Sequence, residues 1–142
     1  MTYILDTDHL SLIQRNNQEG RQILARLATI ESVSVAVTVI TYEEQLRGRL
    51  SVLSKAKTLD EQVVAYRWLQ KLSENYRSIQ MLPFDQAAGT EYQSLRAAYP
   101  RLGAMDLKIA AISIVKSATL LTRNTSDFGK IKELSIDDWS RV

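Results

Sequence analysis

The sequence has no cysteine, which excludes a disulfide framework, a zinc–thiolate site and a thiol nucleophile. It has one histidine, His9, so no multi-histidine metal site can form, and a Ser-His-Asp triad would have to run through that residue. The five glycines form no Gly-x-Gly-x-x-Gly loop, which disfavours a dinucleotide enzyme. No uninterrupted apolar run nears the ~18–20 residues of a membrane span. The stretch Met1-Thr2-Tyr3-Ile4-Leu5-Asp6 lacks a basic region and carries an acid at its sixth position, so no secretory leader is expected and a cytoplasmic location is. An excess of one charge is also missing: 18 Lys and Arg stand against 16 Asp and Glu, a net +2. The densest basic stretch, Arg47, Arg49, Lys55 and Lys57, reads as a solvated helix end rather than a nucleic-acid stripe.

What remains is a chain of 142 residues, 45% hydrophobic, long enough to bury a sizeable core as one domain over 1–142. Neither repeats nor a linker interrupt it. Tyr3 to Asp6 reads as a short buried strand. Ile23, Leu24, Leu27 and Ile30 recur at helical spacing. Val33 to Ile40 is β-branched and reads as a strand. Thr41 and Glu44 have the capping-box spacing, predicting a helix from Thr41. Leu59, Val63, Tyr66, Leu69, Leu72 and Tyr76 mark a long amphipathic helix. Ile79 to Leu82 is a strand stopped by Pro83, and Asp85 caps a helix carrying Ala88, Tyr92 and Leu95. Another helix is predicted from Ala104 to Lys116, a strand over Ala118 to Thr122, a turn over Asn124 to Asp127 and a last strand over Leu134 to Ile136. Such alternation predicts an α/β fold, a mainly parallel sheet with helices on both faces.

That fold predicts where the acids fall. Asp6 ends the first strand, Glu44 and Asp106 lie near helix starts, and Asp127 follows the strand at 118–122. In a parallel α/β sheet, helix N-termini and strand C-termini share one edge, where such sheets hold their sites. Taken singly, Glu44 and Asp106 read as helix caps and Asp127 as a turn residue. Asp6 is different, because a charge ending a buried strand needs a partner. Four carboxylates at one edge repel and raise each other's pKa, and a hard divalent cation with oxygen ligands removes that conflict.

The ordered set Leu5-Asp6-Thr7-Asp8, Ile40-Thr41-Tyr42-Glu43-Glu44-Gln45-Leu46-Arg47-Gly48, Pro83-Phe84-Asp85, Asp106-Leu107-Lys108-Ile109-Ala110-Ala111, Leu121-Thr122-Arg123-Asn124-Thr125-Ser126-Asp127-Phe128 and Ile136-Asp137-Asp138-Trp139 resembles the PIN domain, and within it the VapC-type toxin ribonucleases of toxin–antitoxin pairs. The resemblance spans nearly the whole chain. It implies a three-layer α/β/α PIN-like fold and maps the catalytic and metal-holding acids onto Asp6, Glu44 (rather than Glu43), Asp106 and Asp127. It further implies Mg²⁺- or Mn²⁺-dependent hydrolysis of RNA, a homodimer and neutralisation by a small antitoxin. Asp8 departs from the pattern, standing where the family commonly has Asn; it reads as a supporting acid or as a cap. Thr7 and Asn124, beside the mapped acids, suit orienting hydrogen bonds. His9 reads as a partly exposed helix residue or a phosphate contact, Trp68 as core or dimer surface, and Tyr42 and Tyr92 as core or base-stacking residues. Two other functions compete. A phosphoacceptor receiver wants an Asp ending a middle strand, yet the third strand ends Met81-Leu82-Pro83. A catalytically weak PIN-like scaffold binding RNA or protein would be signalled by a lost acid, and none is missing.

Overall fold

Adjacent strand residues with opposite destinations set the architecture. Successive side chains of a strand point to opposite faces. Ile4 and Leu5 are both buried yet belong to two different apolar clusters, as do Ala36 and Val37, and Leu120 and Leu121. A sheet apolar on both faces must be covered on both.

The computed structural model describes residues 2–29 and 34–141; Ile30 and Val33, counted above into a helix and a strand, lie outside them. Along the chain come β1 (Thr2–Leu5), α1 (Thr7–Arg15), α2 (Gln18–Ala28), β2 (Ser34–Thr38), α3 (Val39–Lys55), α4 (Leu59–Asn75), β3 (Gln80–Leu82), α5 (Gln86–Ala98), α6 (Ala104–Val115), β4 (Thr119–Leu121), α7 (Thr125–Phe128) and β5 (Ser135–Asp137). The strands form a five-stranded sheet in the order β3-β2-β1-β4-β5, and every pairing is parallel. Ile4 sits opposite Ala36 and Leu120. That row packs on Leu95 of α5 and on Leu107, Ala111 and Ile112 of α6. Leu5, Val37 and Leu121 instead meet Leu10 and Leu12 of α1, Ile23 of α2 and Trp139. The result is the expected α/β/α layering around a parallel sheet. Among the described residues no helix is long and apolar enough to cross a membrane.

Helix α6 is apolar nearly all round, with Leu107, Ile109, Ala110, Ala111 and Ile112 buried, as a helix enclosed by its neighbours must be. Helices α1 and α2 meet at Gly20, where a Cβ would collide with the backbone carbonyl of Leu12. Asn16 (φ 54°) and Ser117 (φ 52°) are the two non-glycine residues in the left-handed region among those described. Asn16 ends α1 as its C-cap, a place asparagine tolerates. Ser117 adopts the same conformation just beyond α6, with less chemical reason.

Two assignments differ from the sequence reading by more than a residue at an element's end. The strand expected to reach Ile40 stops at Thr38, whose hydroxyl accepts a hydrogen bond from the Thr41 amide (3.2 Å) and caps α3. Thr38, not Thr41, is the N-cap, so Glu44 lies in the second turn of α3 and caps nothing. The predicted turn over Asn124 to Asp127 is the start of the short helix α7. Along α4 only Ala65 and Leu72 are buried; Leu59 is 74% exposed and Trp68 50%, so Trp68 is not core.

From the central β1, the order runs through β2 and β3 on one side and through β4 and β5 on the other. The crevice at the carboxyl ends of β1 and β4 is therefore the topological switch point, where open α/β sheets bind ligands.

Candidate active site

Asp6 and Thr122 are the residues immediately after β1 and β4. Their strands are joined at this edge by the Asp6 amide donating to the Leu121 carbonyl (3.1 Å). Asp6 is also the N-cap of α1, its Oδ1 accepting from the His9 amide at 2.7 Å. Burial of this carboxyl raises its pKa to about 6. The Thr122 hydroxyl and the His9 amide favour the charged form, while the charges of Asp8 and Asp106 oppose it. Thr122, fully buried, accepts from the Asn124 amide at 2.9 Å, which leaves its own proton for Asp6.

Asp106 lies in the first turn of α6, whose N-cap is Gly103 with no side-chain cap bond. A third-position acid would complete a capping box by reaching back to the N-cap amide, but among the described residues the Asp106 carboxyl makes no hydrogen bond. The cap reading therefore fails for Asp106. Its pKa is raised, first by burial and then by the charges of Glu44 and Asp127. These electrostatic links join the four acids named from the sequence: Asp6 feels Asp106, and Asp106 feels Glu44 and Asp127.

The two outer acids are held by neighbours. Thr7 donates to Glu44 Oε1 at 2.6 Å and lies 3.1 Å from the buried Thr41 hydroxyl. A hydroxyl has one proton; the carboxylate takes that of Thr7, and Thr41 completes the second contact with its own. Asn124 caps α7, its Oδ1 accepting from the Asp127 amide (3.3 Å) while its Nδ2 donates to Asp127 Oδ2 (3.2 Å). Thr7 and Asn124 thus donate hydrogen bonds to the carboxylates of Glu44 and Asp127.

Two residues behave otherwise than expected. Asp8 caps no helix, since Asp6 does; it takes a bidentate fork from Arg123, Nε to Oδ2 at 2.6 Å and Nη2 to Oδ1 at 3.0 Å. That pair is missing from the sequence reading because its members are 115 positions apart. His9, read as partly exposed or as a phosphate contact, is fully buried beneath Trp139 and Asp138. Tyr42 packs edge-on against Tyr76, and Tyr92 against Phe84.

Every donor in this set is oxygen, the chemistry of a hard divalent cation. The raised carboxyls of Asp6 and Asp106 are groups such a cation would return to their charged form. Among the described residues, no three Asp, Glu, His or Cys side chains converge as a closed ligand set. The arrangement suits an ion held by one or two carboxylates with waters completing its shell, the usual habit of Mg²⁺.

The PIN domain model matches residues 3–134. The chain belongs to the PIN domain family. Its fold is similar to that of a chain in VapBC2 from Rickettsia felis bound to a DNA fragment from its promoter, with a TM-score of 0.77 and 25% identity over 98% of this chain and 99% of that one. It is also similar to a chain of VapBC-1 from nontypeable Haemophilus influenzae (TM-score 0.73, 23% identity, 99% of this chain and 100% of that one). A toxin–antitoxin complex from Klebsiella pneumoniae gives 0.71 and 21%, with 99% of both chains covered. No curated protein matches the chain by sequence.

Proposed function

We propose that this PIN protein, folding as one unit over 1–142, is the toxin of a toxin–antitoxin pair and acts as a Mg²⁺- or Mn²⁺-dependent endoribonuclease. Asp106 carries the reading. A carboxyl in a helix first turn that, among the described residues, caps nothing and makes no hydrogen bond, and whose pKa is raised by burial and then by two further acids, has no structural role to explain it. Such a perturbed group in a crevice is a candidate for function.

Asp6 and Asp106, with Glu44 and Asp127 beside them, are the residues that would hold the ion. When bound, the ion supplies a lowered pKa for its water and neutralises the scissile phosphate. The protein's own groups do the rest. Thr7 occupies Oε1 of Glu44 and leaves Oε2 to accept a proton from the attacking water. Asn124 fixes Asp127 through two contacts. The first turn of α6, with no side-chain cap bond at Gly103, offers amide donors and a positive dipole end to a phosphate oxygen. RNA as substrate and a small antitoxin inserting a basic side chain among the acids rest on the family resemblance; a toxin–antitoxin pairing is also supported by the toxin–antitoxin complex from Klebsiella pneumoniae, to which the fold is similar. A homodimer and an antitoxin both suit the half-exposed apolar side chains of α3 and α4, among them Leu50, Val63, Tyr66 and Trp68, a face of the kind that marks interaction sites.

The test incubates purified protein with mixed cellular RNA, with Mg²⁺ and with excess chelator, and maps the new ends. The expected result is metal-dependent cleavage leaving 5′-phosphate and 3′-hydroxyl ends. Undiminished cleavage in chelator would sink the metal mechanism, and 2′,3′-cyclic phosphate ends would make the ribose hydroxyl the nucleophile.

A further inference from the structure

The chain's single histidine has a place that the acidic quartet leaves unexplained. His9 is fully buried in the first turn of α1. Its Nε2 accepts a hydrogen bond from the Trp139 amide at 3.2 Å. An N–H cannot face a protonated ring nitrogen at that distance, so the neutral ring carries its proton on Nδ1. The carboxylate nearest Nε2, Asp138 Oδ1 at 3.6 Å, is already engaged by the Ser140 amide (2.9 Å) and hydroxyl (2.6 Å). It does not compete for the ring. Nδ1 has no hydrogen-bond partner, and 3.6 Å away lies Asp6 Oδ1. A buried donor left unpaired costs about 1–3 kcal/mol, and a small closure toward Asp6 removes that cost.

We propose that His9 is a positioning residue for Asp6: its Nδ1–H holds Oδ1 of the carboxylate, leaving Oδ2 for the ion, and its Nε2 anchors this arrangement to the C-terminal segment Asp138–Trp139–Ser140. The proposal rests on the reading of Asp6 as a metal-holding acid. It gives the C-terminal segment, whose Trp139 lies 130 positions from His9, a part in aligning the site. Histidine suits the place because it is an acceptor on one side and a donor on the other. Asparagine and glutamine divide these roles: Asn places an amide near the Nδ1 position, and Gln places one near the Nε2 position.

The experiment starts with nitrogen-correlated NMR of the metal-free wild type, where one histidine gives one unambiguous imidazole pattern. The expected pattern is a protonated Nδ1 and a bare Nε2, with the Nδ1 proton resonance moving in Asp6→Asn. A proton on Nε2 instead, or an Nδ1 resonance indifferent to Asp6→Asn, overturns the proposal whatever the metal does. Mn²⁺ binding is then titrated calorimetrically into the wild type, His9→Asn and His9→Gln. His9→Asn should bind within about threefold of wild type, and His9→Gln about tenfold more weakly, the usual loss for a group that supports a ligand. Equal Mn²⁺ affinity in a folded His9→Gln overturns positioning while the metal-site reading stands. Absence of Mn²⁺ binding by the wild type overturns the metal-site reading and with it the role toward the ion, while the NMR result separately decides the contact with Asp6.

Discussion

Replacing Asp6 by Asn tests whether the site is built against the stability of the metal-free protein. The folded carboxyl titrates near 6 against an ordinary 3.8, chiefly because it is buried. The difference of about two pH units, at about 1.4 kcal/mol each, amounts to roughly 3 kcal/mol. Its sign follows from proton counting. Between pH 3.8 and about 6 the folded protein holds a proton that the unfolded chain has released, so stability falls as pH rises through that window. Below it the contribution is fully present; above about 6 it is gone. Asparagine is never charged and ranks with aspartate as an N-cap, so it keeps the acceptor for the His9 amide. At about 2.1 cal/mol/K per residue, the 142 residues unfold with an entropy of about 0.3 kcal/mol/K, so 3 kcal/mol corresponds to at most about 10 °C in Tm. Metal-free Asp6→Asn should therefore melt several degrees above wild type at pH 7.5, with the gap closing toward pH 4. Thermal melts in chelator across pH 4–8 measure this. A gap that is absent, or no larger at pH 7.5 than at pH 4, would refute the assignment of Asp6 as a carboxyl forced to ionise in a buried place. Mg²⁺ or Mn²⁺ at a hundred times its Kd should stabilise the wild type by about 2.7 kcal/mol and leave the variant nearly unmoved.

Asp106→Asn should keep or raise the metal-free Tm, since the carboxyl makes no cap bond, yet lose nearly all RNA cleavage and growth toxicity. Asp85→Asn, at the cap of α5 where Oδ1 accepts from the Ala88 amide (3.1 Å), should leave both intact. Thr7→Val keeps the shape of the side chain but removes the donor to Glu44; melts should show a loss of about 1–2 kcal/mol, and cleavage assays a fall of at least tenfold. Ser117→Gly relieves a left-handed backbone (φ 52°) that costs a side-chain-bearing residue about 1–2 kcal/mol, against the 0.5–1 kcal/mol that glycine loses in entropy. A Tm higher by about 2–3 °C is expected, and an unchanged or lower value would argue against strain at that residue.

The sheet was legible because alternation is a local signal: Ile4 and Leu5, or Leu120 and Leu121, announce two buried faces without knowledge of what covers them. An acidic edge is the further expectation of that topology, since a parallel sheet fixes which end of each helix meets which end of each strand. What could not be read depended on contacts remote in sequence. His9 looks like an ordinary helix residue until Trp139, 130 positions away, is laid over it. Asp8 looks like a cap until Arg123 reaches it. The start of α3 was misplaced for a local reason: Val39 and Ile40 have the side chains of a strand, but the Thr38 hydroxyl already takes an amide of the first helical turn. Along α4 the periodicity identifies an amphipathic helix, but periodicity does not say whether its apolar stripe meets this chain or another, and Leu59 and Trp68 are left in the open.

Asp6 shows why residues of the site are harder to read than residues of the core. Core residues answer to one demand, burial, and one demand leaves one pattern. Asp6 answers to three: it follows a buried strand, caps α1, and feels the charge of Asp106. Capping favours its charge; burial and the neighbouring acids oppose it. No single substitution satisfies all three, because Asn keeps the cap and removes the charge, while Glu keeps the charge and moves the acceptor away from the His9 amide. The conflict is relieved by a positive group at the acidic edge. A metal ion and a basic side chain of an antitoxin are two such groups, with opposite effects on catalysis. On the proposed function, the charge strain that weakens the free protein is the quantity that would draw in both a metal ion and a basic side chain of an antitoxin, so substitutions that ease the strain at Asp6 should weaken binding of both.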